Sequence, residues 1–165
     1  MDRELYLHAQ RLGDLLKQQR VMLATAESCT GGWISQIITA VPGSSAWFER
    51  GFVTYSNNAK IQMLGVRQQT LTEHGAVSVA AAREMVAGAL AHSEADIAVA
   101  VTGIAGPDGG TETKPVGTVF IAWQAKYRPC LVERHCLSGS REAVRRQTVL
   151  VALQKLSVLA GEGNA

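Results

Sequence analysis

At 165 residues with 47% apolar side chains, the chain is sized for one globular domain able to bury most of its unfolded-state surface. A formal net charge of +2 provides no broad basic face of the kind that non-specific nucleic-acid binding requires, and no apolar run approaches the roughly 20 residues of a membrane helix. Three cysteines, an odd number without metal-ligand spacing, argue against a disulfide scaffold or a zinc site, and the opening residues, with Asp2 and Glu4, lack a signal-peptide pattern, so the expected setting is the cytoplasm.

In chain order, residues 3–18 set Leu5, Leu12, Leu15 and Leu16 at near-helical spacing among charged and amide side chains, which predicts an amphipathic cover helix. The stretch VMLATAESCTGGWISQIITA, residues 21–40, reads as strand, tight turn and helix. Val21 to Ala24 are apolar enough for a buried strand, the run breaks at Glu27 and Ser28, and helical spacing resumes after Gly31 and Gly32 until Val41, Pro42 and Gly43 stop it. Residues 46–56, AWFERGFVTYS, are aromatic and β-branched and predict a second strand, followed by a short helix from Asn58 to Leu64. A loop is expected near Leu71 to Gly75, and Ser78 then caps a helix running to about His92.

Residues 96–103, DIAVAVTG, are apolar without alternation and predict a strand buried on both faces. The glycine-rich segment 103–117 that follows is too short for a helical crossover, so the next strand, Thr118 to Gln124, is expected to run antiparallel. After a turn at Tyr127, Arg128 and Pro129, alternation in residues 130–137 puts Glu133 and His135 on one face with Leu131 and Leu137, and makes Cys130 and Cys136 packed thiols. Ser140 caps a last helix to about Leu159, with Val144, Thr148, Val151, Ala152, Leu156 and Leu159 as its buried stripe. The order α, β, α, β, α, α, β, β, β, α predicts a single-domain α/β/α sandwich with a mixed sheet, whose strand order cannot be read.

Three loops compete for chemistry. In TAESCTGG, residues 25–32, Thr25, Glu27, Ser28 and Thr30 crowd polar groups into a strand end where a core gains nothing from them. The paired glycines leave backbone amides at a helix start open to an anion, with Ser28 at the rim, and a site is favoured there over a bare glycine turn. In residues 103–110 four glycines follow Thr102 at a strand end, where close approach to a ligand and simple slack are equally open. Arg141 and Arg145 lie four apart at a helix start, against the helix dipole. An anion held between amides and guanidiniums would remove that conflict, and a solvated basic face fits the charge pattern as well.

The four histidines form no metal-binding grouping, which argues against a metal hydrolase, and no cofactor motif is present. Lys60 follows FVTYS in a segment otherwise free of positive charge. If desolvated it can act as a base for a serine, although by spacing alone a solvated lysine at a helix start is the plainer reading.

The segments TAESCTGG, GSSAWFERGFVTYSNNAK, GAVS, TGIAGPDGG, KPVGTV and REAVRRQ together resemble the CinA C-terminal domain family, in particular its stand-alone bacterial form, from about Leu5 to Leu156. The resemblance implies hydrolysis of the carboxamide of nicotinamide mononucleotide to nicotinic acid mononucleotide and ammonia. By the same likeness Ser28 is the nucleophile, Lys60 the general base and Tyr55 a hydrogen-bonding aid. It also implies a homo-oligomer, a dimer, and roles tied to the extra N-terminal domain of longer members are not carried over. Set beside the chemistry of amide hydrolysis, this moves the turn of Cys29, Thr30, Gly31 and Gly32 from anion site to oxyanion site. The phosphate then falls to Arg141, with Arg145 and the loop carrying Thr102, Gly103 and Gly106. A non-catalytic nucleotide-binding or regulatory module is the alternative, and a scaffold in competence or DNA damage a weaker one.

Overall fold

The computed structural model describes residues 1–163. Its elements are α1 (Arg3–Gln19), β1 (Leu23–Glu27), α2 (Trp33–Thr39), β2 (Phe48–Val53), α3 (Asn57–Leu64), α4 (Gln68–His74), α5 (Val79–Ala91), β3 (Ile97–Gly103), β4 (Thr118–Ala125), β5 (Leu131–Cys136) and α6 (Arg141–Glu162). The strands form one mixed sheet in the order β2-β1-β3-β4-β5. β1 pairs parallel with β2 and β3; β4 runs antiparallel to β3, as expected from the short glycine-rich connection, and β5 is antiparallel to β4.

The central strands are buried on both faces, and they alternate in side-chain size instead of polarity. Leu23, Ile97, Val99, Val101, Val119, Ile121 and Trp123 pack toward α1, α2 and α6. Ala24, Ala26, Ala98, Ala100 and Ala122 face α5 and the segments before it, so that α5 seats on a shallow alanine surface with Met85 and Val86. Helices on both sides of the sheet make the expected α/β/α sandwich. At Gly88 a Cβ would overlap the carbonyl oxygen of Leu64, so only glycine lets α5 meet the end of α3.

Several boundaries differ from expectation. β1 lies at 23–27, not 21–24, because Thr25 and Glu27 are satisfied inside the fold. β2 is shorter than 46–56: Ser44–Ala46 form a 3-10 turn that buries Trp47, and Ser56 leaves the strand to cap α3. The loop near 71–75 is largely helix α4, which buries Thr70 and Leu71. On α6, Val149, Leu153 and Ala160 are buried, while Val151 and Leu159 only border the core. Cys136 is exposed and Cys130 half-buried, so only the latter is a packed thiol. The serine caps at Ser78 and Ser140 accept the amides of Ala81 and Ala143 as read. Among the described residues no helix is long and apolar enough to cross a membrane.

Candidate active site

The parallel strands β1, β2 and β3 end together, and residues just past their carboxyl ends converge, the place where open α/β sheets hold ligands. The Ser28 amide donates to Val101 O (3.1 Å) and the Thr54 amide to Glu27 O (2.9 Å), which ties the start of the turn to both neighbouring strands. Gly31 (φ 60°) and Gly32 (φ 100°) then swing the chain into α2 through backbone conformations that side chains resist.

Lys60 enters from the first turns of α3 and is 1% exposed. Its Nζ lies 3.0 Å from Ser28 Oγ, 2.8 Å from Thr54 O and 3.2 Å from Tyr55 O. A neutral amine has two N–H donors and one lone pair. Two carbonyls take the donors, which leaves the lone pair for the serine hydroxyl. Burial pulls the Lys60 pKa below its ordinary value, toward that neutral form. Neighbouring Cys29 is held as the thiol, pushed up to about 12 chiefly by burial, so it is a poor nucleophile.

Glu27 carries the local structure of the turn. Fully buried, it accepts from Thr30 Oγ1 (2.7 Å), Ile34 N (2.8 Å), Ser35 N (3.0 Å) and Ser35 Oγ (2.8 Å). Thr25 Oγ1 meets the same Ser35 hydroxyl at 2.8 Å. These polar groups therefore do serve the core, contrary to expectation, and the amides at the start of α2 are already occupied by the chain's own carboxylate. Within the turn, Gly31 N donates to Ser28 O. The Cys29, Thr30 and Gly32 amides have no such partner among the described residues.

The arginines of α6 come to the same place. Arg141 donates to Gly106 O (2.8 Å) and to the Tyr55 hydroxyl (3.0 Å), joining the loops after β2 and β3 to the start of α6. Arg145 donates to Cys29 O (3.0 Å) and Thr30 O (3.1 Å), with its guanidinium 5.4 Å from the Trp33 ring centroid. Arg146 turns away to Asp2 and Glu4. A cleft of about 220 Å³ brings together Ser28, Tyr55, Lys60, Thr102, Gly103 and Arg141. Beyond Arg141 a second, more open cavity of about 630 Å³ borders Gly31, Gly32, Trp33 and Arg145.

Thr102 lines the cleft while its hydroxyl donates to Ala76 O (2.8 Å), and Gly103 leaves room for Val119. The cleft wall also includes Asn57, Ala76, Val77 and Ala105, which residue chemistry alone did not single out. The available signal was their position inside the motifs SNNAK, GAVS and TGIAGP. Glu27's role had a signal too, in hydroxyls spaced three and eight residues after a carboxylate at a strand end. Among the described residues no group of three or more histidine, cysteine, aspartate or glutamate side chains could hold a metal ion.

The site is thus a buried serine–lysine pair at the ends of parallel strands, walled by glycine loops and arginines, with the groups that nucleophilic chemistry on an anionic ligand calls for. Residues 6–159 match the model of the CinA C-terminal domain, and the chain belongs to that family. It is 55% identical over 155 residues to nicotinamide-nucleotide amidohydrolase PncC of Escherichia coli (strain K12), covering 94% of each chain. To the protein of the same name from Pseudomonas putida it is 54% identical over 154 residues, 93% of this chain and 96% of the relative. The crystal structure of competence/damage inducible protein CihA from Agrobacterium tumefaciens matches with a TM-score of 0.94 at 45% identity, covering 96% of this chain and 97% of that one.

Proposed function

We propose that the chain hydrolyses the carboxamide of nicotinamide mononucleotide, releasing ammonia and nicotinic acid mononucleotide by a serine–lysine mechanism. The observation that carries this reading is the 3.0 Å contact of buried Lys60 Nζ with Ser28 Oγ, the lysine's other bonds going to two backbone carbonyls. Relatives named nicotinamide-nucleotide amidohydrolase at 54–55% identity over nearly full length support the substrate.

An amide resists water because its carbonyl is resonance-stabilised and ammonia leaves poorly. In this mechanism Ser28 Oγ attacks the carboxamide carbon as neutral Lys60 takes its proton. The oxyanion is held by open amides of the Cys29 to Gly32 turn. Tyr55 accepts from Arg141 at 3.0 Å, which frees its own O–H to relay the proton held by Lys60 to the departing nitrogen, so that tyrosine is reprotonated and Lys60 is neutral again before the second step. Water then hydrolyses the acyl-serine, with Lys60 as base.

At about 220 Å³ the inner cleft is smaller than the ~300–1,000 Å³ of ordinary ligand pockets, so it takes the carboxamide and ring while the ribose phosphate extends past Arg141. Two of that guanidinium's five donors are in use, which leaves a fork for phosphate beside Thr102, Gly103 and Gly106. Free thiols at Cys29, Cys130 and Cys136 fit the reducing cytoplasm proposed as the enzyme's setting. A homodimer is the proposed assembly, to be measured by sedimentation.

The test is ammonia release from nicotinamide mononucleotide by the wild type and by Ser28→Ala. The variant is expected to keep its circular dichroism and lose turnover by at least about 10³-fold. Undiminished turnover would remove Ser28 as nucleophile, and an inert wild type would remove the substrate assignment.

A further inference from the structure

Arg145 sits at the mouth of the outer cavity, where a phosphate ligand would be expected, yet its guanidinium is turned onto the backbone of the nucleophile turn. Its Nε donates to Cys29 O and a terminal nitrogen to Thr30 O. In a trans peptide the C=O and the next N–H point in opposite directions. Fixing Cys29 O therefore aims the Thr30 N–H away from Arg145. Fixing Thr30 O aims the Gly31 N–H the same way, and that N–H donates to Ser28 O at 3.0 Å. Ser28 O belongs to the peptide whose N–H is that of Cys29, so this plane is set in turn.

One side chain thus orients two peptide units directly and a third through a single relay, and two of the N–H groups so aimed, those of Cys29 and Thr30, are unpaired among the described residues. The amide that follows a nucleophilic serine is the usual first donor of an oxyanion hole. A cation hydrogen-bonded to the carbonyl end of a peptide also polarises its N–H and strengthens it as a donor. The Trp33 ring under the guanidinium and the buried Glu27 carboxylate on Thr30 Oγ1 hold the turn from either side.

We infer that Arg145 is a positioning residue that builds and polarises the oxyanion hole at the Cys29 and Thr30 amides, rather than a ligand of the substrate's phosphate. The inference rests on Ser28 acting as an acylated nucleophile, as proposed above.

Two measurements test it on the full-length protein. The first is kcat and KM for ammonia release from nicotinamide mononucleotide in Arg145→Lys and Arg145→Gln. The second is the rate at which an alkyl fluorophosphonate modifies Ser28, followed by intact mass. In that reaction Ser28 Oγ bonds to phosphorus, fluoride leaves, Lys60 takes the proton, and no nucleotide phosphate is involved.

Loss of oxyanion donors typically costs about 10²–10³-fold in kcat. Arg145→Gln is expected to show a loss in that range with KM changed by less than about threefold, and at least about tenfold slower labelling. Arg145→Lys keeps the charge but not the fork geometry, and should fall between it and the wild type. A raised KM with intact kcat, or unchanged labelling, would overturn the inference and return Arg145 to the phosphate. If Arg145→Gln does not fold, Arg145→Lys alone decides between these outcomes. A wild type that labels at Ser28 but releases no ammonia defeats the substrate assignment only, because labelling still tests the hole. A wild type that does neither defeats both.

Discussion

Burying Lys60 removes an ammonium from water with the Ser28 hydroxyl and two carbonyls as its hydrogen-bond partners and, among the described residues, no carboxylate in an ion pair with it. The consequence for activity is an acidic limb. As pH rises through the lowered Lys60 pKa the neutral base accumulates, so kcat climbs and then levels off below the ordinary lysine value of about 10.4. Lys60→Ala should lower kcat by about 10³-fold with a smaller effect on KM. Stability responds in the same direction. Below the folded pKa both states carry the proton and the fold bears the full burial cost. Between that pKa and the unfolded value the unfolded chain binds more protons, so stability rises with pH. Urea midpoints measured against pH should show that slope in the wild type and not in Lys60→Met. From spacing alone Lys60 read as solvated, because what buries it is the non-local packing of α3 against α5 and the end of β2, and only the YSNNAK motif pointed to it. The arginine pair was legible as an electrostatic oddity, but which carbonyls it meets depends on a turn more than a hundred residues earlier.

At the level of elements, the turn from β1 to α2 and the crossing of α3 with α5 decide where serine and lysine stand. Glu27→Gln keeps the shape but puts an NH2 where one carboxylate oxygen accepts donors. Losing charge-assisted bonds to buried groups should cost about 3 kcal/mol in urea unfolding, and turnover should fall with it. Gly88→Ala, although the site is far in sequence from Ser28, forces the end of α3 away from α5. It is expected to destabilise by about 1–3 kcal/mol and to lower kcat by displacing Lys60, an effect checked by comparing labelling of Ser28 with the melting temperature. Helices with serine caps and apolar stripes were readable. α4 was not, since QQTLTEH buries only Thr70 and Leu71 and its N-cap residue Arg67 offers no side-chain acceptor to cap the helix. β1 shifted toward its carboxyl end because buried Thr25 and Glu27 look like a strand's exit until their partner Ser35 is known.

For the whole molecule, the antiparallel exit of β3 could be inferred from loop length, whereas the central place of β1 could not, since strand order follows from which face each crossover covers. α6 joins distant parts of the chain: its start reaches the site loops, while Arg146 binds Asp2 and Glu4 at the head of α1. Asp2→Asn retains a capping oxygen for the Leu5 amide but loses the charge. It should cost less than about 1 kcal/mol, a difference that shrinks in high salt and leaves kcat unchanged. Because Arg146 holds the Asp2 carboxyl below the usual range, this contribution is present above about pH 4 and fades as pH falls through the folded value.

The reach of Arg141 and Arg145 back to residues near 30, 55 and 106 also bears on biosynthesis. Ser28 and Lys60 leave the ribosome early, and a polypeptide growing from its N-terminus can pair β1 with β2 long before α6 exists. Until the α6 segment emerges, the carbonyls of Cys29 and Thr30 lack their guanidinium, and the turn beside the serine is held by Glu27 and by the backbone bonds of Ser28 to Val101 and Gly31. A nascent chain halted before residue 141 would therefore carry both members of the pair without either arginine, and under the proposed mechanism full hydrolytic competence would arrive with the last helix to be made.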